Sequence, residues 1–579
     1  MELLFFFGAM AIFFAVVFAR EAYSAKKREK KFIDSLYTDY GNVPDKEYAL
    51  ERFVRIPSYY EKHKKGRDGG IDDITWNDLN MDEIFKRMNY TFSASGEEYL
   101  YDTLRNAGKT EKELEHLEEV IVFFQEHPDE RVRIQYIMSQ LGYTGKYSLY
   151  DYIDNLGYLG ARSNKKHYLL DFLFLPLLLL LPFKTSLGIM GLVGLIVYNI
   201  TSYFKEKKEI DPYILSFAYI LRLVYISEKL LKIKVPVCEK EWESIRRHRS
   251  GLLGLKRGAF IVLTSGMGKI SGNPFDVVLD YLRMVFHLDL IKFNKMLAQL
   301  RNHIEDVDAL ISTVGFVETA IAIGAFRKSL PEYCIPKVDF ANDNLEKQGS
   351  WSGSMVCQLT LTEAYHPLIV NPVKNSITTE KGVLLTGSNA SGKSTFLKTV
   401  ALNAILAQTI HTCTAQEYKA PVYRIFSSMS LRDDLESGDS YYIVEIKALK
   451  RILDGAGENK GSVLCFVDEV LRGTNTVERI AASTQILKSL SANRILCFAA
   501  THDIELTRLL YREYDNYHFE EEIKEGDIFF NYKLLPGRAS TRNAIKLLEI
   551  MGYDRAIIEK ATSQAEHFVE TGEWEEIKN

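Results

Sequence analysis

The chain has 579 residues, 46% of them hydrophobic and 26% charged, and a formal net charge of −5. That length predicts several domains, and that balance excludes a disordered or low-complexity chain. The slightly acidic total excludes a strongly basic overall footprint for nucleic acid, so any such contact has to come from a local patch.

The run from Leu3 to Ala19 is apolar and uncharged, at the short end of the roughly 17–25 residues that cross a bilayer. A signal peptide is the alternative, but no basic residue precedes the run, while Arg20, Lys26, Lys27, Arg28, Lys30 and Lys31 follow it. Positive charge marks the cytoplasmic side. Residues 1–19 are therefore predicted to be an uncleaved anchor with its N-terminus outside. Residues 20–79 read as a basic juxtamembrane linker, with a turn from Lys64 to Gly70. From 80 to 164 the spacing is helical, as in the segment Met81–Met88.

A second apolar region covers 168–204 and contains five consecutive leucines, Leu177 to Leu181. The segment Pro182–Ser186 divides it in two. Lys165 and Lys166 precede it, and Lys205, Lys207 and Lys208 follow it. Basic flanks at both ends fit a transmembrane hairpin with both ends inside. A soluble helical pair is the rival, but a Leu-rich stretch has no polar face to show water. The first half is short unless Pro182 and Phe183 belong to it, so a re-entrant segment is a further alternative. Asp171 lies one turn inside it. Three spans in all predict a multi-pass protein of the cytoplasmic membrane that touches lipid and keeps its large segments in the cytoplasm. Residues 205–347 again read as helices, with Tyr213, Ile214, Leu215, Tyr219, Ile220, Leu221 and Ile226 spaced for a buried stripe. They are expected to form a scaffold without chemistry of its own.

Residues 348–579 change character. The stretch Gly387-Ser388-Asn389-Ala390-Ser391-Gly392-Lys393-Ser394 fits G-x-x-x-x-G-K-[ST], the phosphate-binding P-loop. An apolar strand, Gly382–Thr386, precedes it, and a helix is predicted from Ser394. Glycines let backbone N–H groups turn toward phosphate oxygens, and the helix N-terminus adds partial positive charge. Lys393 would reach the β/γ-phosphates of ATP, and Ser394 would ligand Mg²⁺. A strand from Ser462 to Val467 delivers Asp468 and Glu469 to its end, the Walker B arrangement. Asp468 is a candidate metal ligand, and Glu469 a candidate general base, although paired acids at a strand end can also both serve the metal. A third strand, Arg494–Ala500, ends in Thr501-His502, so His502 can sense the γ-phosphate or orient water. The six cysteines (Cys238, Cys334, Cys357, Cys413, Cys465 and Cys497) have no C-x-x-C spacing and read as reduced, buried thiols.

Six segments in order resemble the ATPase of the MutS family, the ABC-type domain of DNA mismatch repair proteins. Ala364-Tyr365-His366-Pro367-Leu368 resembles the family's RHP segment, and Asn375-Ser376-Ile377 its ND-I strand. Gly387 through Thr395 lies within a match to TGPNMGGKST. The run Asp433–Ser440, followed by Glu445, resembles the stretch that carries a signature serine. Asp468–Thr474 resembles DEIGRGT, and Ala500-Thr501-His502 resembles ATH. The resemblance implies an α/β P-loop ATPase preceded by an all-α core-like domain, here interrupted by the hairpin. It implies ATP and Mg²⁺, with Tyr365 and His366 beside the adenine and Gly387 through Thr395 around the phosphates. It also implies a homodimer in which Ser440 of one copy contacts the γ-phosphate held by the other, and hydrolysis of ATP to ADP and phosphate. DNA is a partner by the same resemblance, and an unidentified protein is the rival.

Departures are concrete. Ser388 and Ala390-Ser391 stand where the family has Pro and Met-Gly, Tyr441-Tyr442 replaces Thr-Phe, and Leu471 replaces a Gly. Glu98 takes the place of an Arg in a segment resembling the start of the core domain. The chain ahead of that core is too short for a mismatch-reading domain, which favours a membrane assembly or signalling ATPase as the alternative function.

Overall fold

The computed structural model describes residues 2–67, 69–144, 147–263, 274–340, 358–388, 391–429, 441–457, 461–471, 474–492, 494–524, 527–539, 545, 548–549 and 551–574. The chain forms two compact units. The first comprises Met1–Gly66, Met88–Asp102 and Leu117–Ser329, and the second Arg67–Arg87, Thr103–His116 and Leu330–Asn579.

All regular structure among the described residues of the first unit is helical. The opening helix runs without a break from Glu2 to Thr38, so the basic stretch continues it. Its later turns pack on the helix Pro128–Leu141, where Tyr37 donates to Asp129 at 2.7 Å and Phe32 meets Tyr136. The linker expected over 20–79 is therefore folded chain. Leu50–Arg55 and Ser58–His63 are short helices with Ile56 and Tyr59 buried, and Asp73–Asp78, which belongs to the second unit, is a short helix with Trp76 and Leu79 buried. Periodicity missed them because six-residue helices are too short to show a stripe.

The apolar region folds as two helices, Lys165–Leu180 and Thr185–Leu230, joined by a tight turn. Over 168–204 many of the large side chains face outward, with Leu179 70% exposed, Phe183 85% and Met190 67%, while Leu170 and Tyr203 are buried. Two described helices are long and apolar enough to cross a membrane, by length and composition only. Thr185–Leu230 shows its apolar window to the outside, whereas Ile304–Ser329 is a buried interior helix. Between them, Glu239–Lys256 packs along Ile304–Ser329.

Among the described residues, the second unit contains twelve strands: β1 (Lys337–Asp339), β2 (Leu359–Ala364), β3 (Asn375–Thr379), β4 (Gly382–Thr386), β5 (Glu417–Pro421), β6 (Tyr423–Ser428), β7 (Ser462–Asp468), β8 (Ile495–Ala500), β9 (Tyr514–His518), β10 (Glu521–Lys524), β11 (Asp527–Phe530) and β12 (Leu535–Pro536). The main sheet has the order β12-β9-β4-β8-β7-β6, parallel except for β12. Continuous apolar strands such as β4 and β7 are what a parallel sheet covered on both faces requires. A smaller sheet, β1-β5-β2-β3, and the hairpin β10-β11 complete the strands. None of the five described cysteines is in a disulfide; Cys465 and Cys497 are buried register partners on β7 and β8.

The division between units departs from a simple boundary at residue 348. The segment 67–87 belongs with the strands of the second unit, because Asp78 accepts from Ser427 Oγ at 2.7 Å and from Met429 N at 2.9 Å, and Thr75 Oγ1 accepts from Ser427 N at 3.1 Å.

Candidate functional site

Parallel pairing brings the three sequence motifs to one sheet edge. β4 lies between β8 and β9, and β7 pairs with β8 so that Asp468 stands opposite Ala500. Thr501 N donates to Leu385 O at 2.9 Å and Glu469 N to Ala500 O at 2.9 Å, tying the strand ends together. Ligands of open α/β sheets collect at this carboxyl edge.

The phosphate loop leaves β4 at Gly387, whose φ of +144° no L side chain readily adopts. A Cβ there would also come 2.8 Å from Phe519 O. The helix Lys393–Ile410 begins directly after Gly392. Lys393 Nζ donates to Gly387 O and Ser388 O, both at 2.8 Å, so the ammonium sits within the loop. Ser394 Oγ donates to Asp468 Oδ2. This adjacency is the donor set Mg²⁺ favours: one hydroxyl and one carboxylate, both hard oxygens, with room for phosphate and water. Glu469 Oε1 meets His502 Nε2 at 2.9 Å. Glu469 also holds a left-handed φ of +62°, which aims its side chain away from the strand direction and into the cavity. Arg479 grips Asp503 through two nitrogens, at 2.7 and 3.0 Å, and fixes the segment that carries His502.

A cavity of about 680 Å³ surrounds these groups, within the range of small-molecule sites. Ser388, Gly392, Lys393, Ser394, Thr395, Asp468, Glu469 and His366 line it. Its apolar end is built by Ile369, Val370, Val373, Phe519 and Tyr532. None of these five was expected from the sequence. Ile369-Val370 could have been noticed as apolar residues in a loop, whereas Phe519 and Tyr532 arrive from a distant part of the chain. Ser391, within the loop, is buried.

Tyr365 needs correction as a nucleotide contact. Its side chain is buried, donates to Glu332 O, and does not line the cavity; adjacent residues on an extended segment face opposite ways, so His366 lines the cavity and Tyr365 does not. Asn389, Ala390 and Ser440 lie outside the described residues.

Burial, reinforced by the nearby Lys398 ammonium, lowers the His366 pKa to about 4. The unfolded chain binds the proton first, so this residue makes the second unit lose stability as pH falls from about 6.5 toward about 4, by up to about 3 kcal/mol. Melting temperature across that window should fall less in His366→Gln than in the parent; equal slopes would contradict the assignment.

Leu471 occupies φ +59° although it is buried, and its N–H donates to the Glu445 carboxylate. Left-handed backbone costs a non-glycine residue about 1–2 kcal/mol, but removing a buried Leu side chain costs about 2–5. Leu471→Gly is therefore expected to destabilise the protein by about 1–3 kcal/mol net, seen as a lower melting temperature. A gain in stability would mean that the backbone strain outweighs the packing.

Sheet order, phosphate loop and the carboxylates at the neighbouring strand end together define a P-loop nucleotide-binding domain. Residues 383–569 match the family model of MutS domain V. Residues of this chain are 35% identical over 180 positions to the DNA mismatch repair protein MutS of Thermus thermophilus, covering 31% of this chain and 22% of that protein. MutS protein homolog 4 of Homo sapiens is 29% identical over 298 positions, 48% of this chain and 30% of that protein. DNA mismatch repair protein MutS 2 of Haloarcula marismortui is 32% identical over 182, covering 31% and 19%. The likeness to MutS proteins thus lies mainly in the C-terminal domain, and the chain spans less than a third of the length of these relatives.

Proposed function

We propose that the chain is a membrane-anchored MutS-like ATPase that hydrolyses ATP to ADP and phosphate in a composite site between two copies, coupled to DNA as in mismatch repair-like processing. The observation that carries the ATPase reading is the meeting of Lys393, the Ser394–Asp468 pair and the Glu469–His502 pair around one cavity. Lys393 exchanges its two loop carbonyls for the β/γ-phosphates when ATP enters. Ser394 and Asp468 would hold Mg²⁺, which would supply positive charge against those phosphates. Glu469 takes a proton from the attacking water, and His502, hydrogen-bonded to it, keeps the carboxylate aimed. His366 and the apolar end of the cavity receive the base.

Ser440 of the second copy completes the site in this reading. Ser440→Ala is expected to lower turnover while leaving ATP binding intact; unchanged turnover would remove the composite site. The anchor at 1–19 and the hairpin at 168–204 put the protein in the cytoplasmic membrane, N-terminus outside and ATPase inside. The DNA arm follows from what the relatives' names say of those proteins. A second reading, a membrane assembly or signalling ATPase acting on a protein partner, is favoured by the outward apolar face of the hairpin on the helical unit.

The deciding experiment is ATP hydrolysis by the full-length protein in detergent, with and without duplex, mismatched and branched DNA at two salt concentrations. DNA-dependent turnover that fades with salt supports coupling to DNA, because phosphate contacts weaken steeply as salt rises. Turnover indifferent to every DNA supports the protein-partner reading.

A further inference from the structure

The membrane-proximal end of the helical unit carries a group of cations that the ATPase reading does not use. The helix Leu288–Arg301 abuts the start of the hairpin: Asn164 Nδ2 donates to Ile291 O at 3.1 Å, and Asn294 Nδ2 to Asn164 Oδ1 at 2.9 Å. On this helix Lys295 is exposed, with Nζ 5.7 Å from the centre of the Tyr168 ring. Lys292 is half-buried, and its Cε lies 3.8 Å from where a Cβ on Gly258 would stand, next to Arg257. Arg257 is exposed. Burial first, then repulsion by Lys295 and Arg257, lowers the Lys292 pKa. Three cations are thus held together, and among the described residues none of them forms an ion pair with a carboxylate of the protein.

Their setting is that of a membrane interface. Tyr168 and Phe260, both exposed, flank them, and the outward apolar face of the hairpin begins with Tyr168 and Leu169. Aromatic rings and basic side chains gather where headgroups meet acyl chains, and a cationic cluster without a protein counter-ion is complementary to anionic lipid. We propose that Arg257, Lys292 and Lys295 form a binding site for the phosphate of an anionic phospholipid headgroup, a proposal that rests on reading the hairpin as a bilayer-spanning element. The lipid would lie beside Tyr168 with its acyl chains along the hairpin. It would fix the helical unit against the bilayer surface at that point.

The test reconstitutes the full-length protein in bilayers containing spin-labelled phosphatidylglycerol or spin-labelled phosphatidylcholine and measures the motionally restricted lipid fraction. The expected result is a restricted fraction for both lipids, with an association preference of about fivefold for phosphatidylglycerol, the effect of roughly one well-placed basic side chain. Arg257→Gln/Lys292→Gln/Lys295→Gln should bring the preference close to one. Lys232→Gln/Lys234→Gln/Lys240→Gln should keep it: that triple removes the same charge beyond the far end of the helix Thr185–Leu230, about 39 Å along its axis from Phe204. Circular dichroism checks the fold of both triples, and Lys292→Gln alone is the milder variant if the first triple misfolds.

A restricted fraction without preference overturns the headgroup site and leaves the spanning hairpin standing. No restricted fraction for either lipid overturns the hairpin reading, and the site with it. Loss of the preference on adding inorganic phosphate at constant ionic strength assigns the site to a free phosphate group and overturns the lipid.

Discussion

Glu469→Gln is expected to slow ATP turnover by about 10²–10⁴-fold, the usual contribution of a positioned general base, while the affinity for ATP stays within about threefold of the parent. The carboxylate stands at the end of β7, turned by a φ of +62° into the cavity and hydrogen-bonded to His502 at 2.9 Å. An amide has the same shape and can keep one contact to the imidazole, so the loop, Lys393 and the Ser394–Asp468 pair remain as they are. What is lost is the ability to take a proton from water. Single-turnover kinetics separates this from slow product release, because a base mutant is slow in the first turnover as well. Parent-rate hydrolysis by Glu469→Gln would assign the residue to metal or structure, leaving His502 or water to accept the proton.

The site was legible wherever its chemistry is local in sequence. β4, the phosphate loop and the start of the next helix are contiguous, so glycine spacing and an apolar run were enough to place them. β7 and β8 could be read because a fully buried parallel strand is continuously apolar and ends abruptly in charge, at Asp468 and after Ala500. What the sequence did not show is what closes the cavity from elsewhere. Phe519 follows β9 and Tyr532 follows the β10-β11 hairpin, more than a hundred residues beyond the loop they flank. Tyr365 was misplaced because resemblance assigns a segment and not the direction of each side chain along it.

The same limit explains residues 67–87. Trp76 and Leu79 are apolar, but nothing local ties them to the strands of the second unit. Their partner is β6, some 350 positions on, reached through Thr75 and Asp78, which bond the backbone of Ser427 and Met429. Polar side chains bonding distant backbone leave no periodic signal. The hairpin is the opposite case: composition alone located it and its turn, and the helices Lys165–Leu180 and Thr185–Leu230 meet where Pro182 stood as the break.

Glu97→Ala should destabilise the helical unit by about 3–5 kcal/mol, the usual consequence of removing one partner from a buried ionic cluster. Glu97 is fully buried and accepts from Arg52 Nη2 at 2.6 Å, Arg55 Nη2 at 2.6 Å and Asn89 Nδ2 at 2.7 Å. Arg55 is itself buried, so losing Glu97 takes its close carboxylate away from a charge far from water, and Glu98 stands farther off, 3.8 Å from Nε. Glu98 next door should behave differently. Burial raises its pKa to about 8 against the opposing pull of Arg55 and Ser148, so at pH 7 the neutral carboxyl dominates. Glu98→Gln imitates that form, so it should match the parent's stability within about 1 kcal/mol near pH 4 and be more stable than the parent at pH 7, where only the parent's unfolded chain gains by ionising. A raised pKa means that stability is present below about pH 4.5 and is lost as pH rises through about 8. Glu318, raised to about 7 chiefly by burial, acts in the same window. Glu98→Gln should therefore flatten, without abolishing, the fall of melting temperature between those limits. Equal damage from both substitutions at pH 7 would mean that Glu98 is ionised in the folded protein and that Arg55 is shared between two carboxylates.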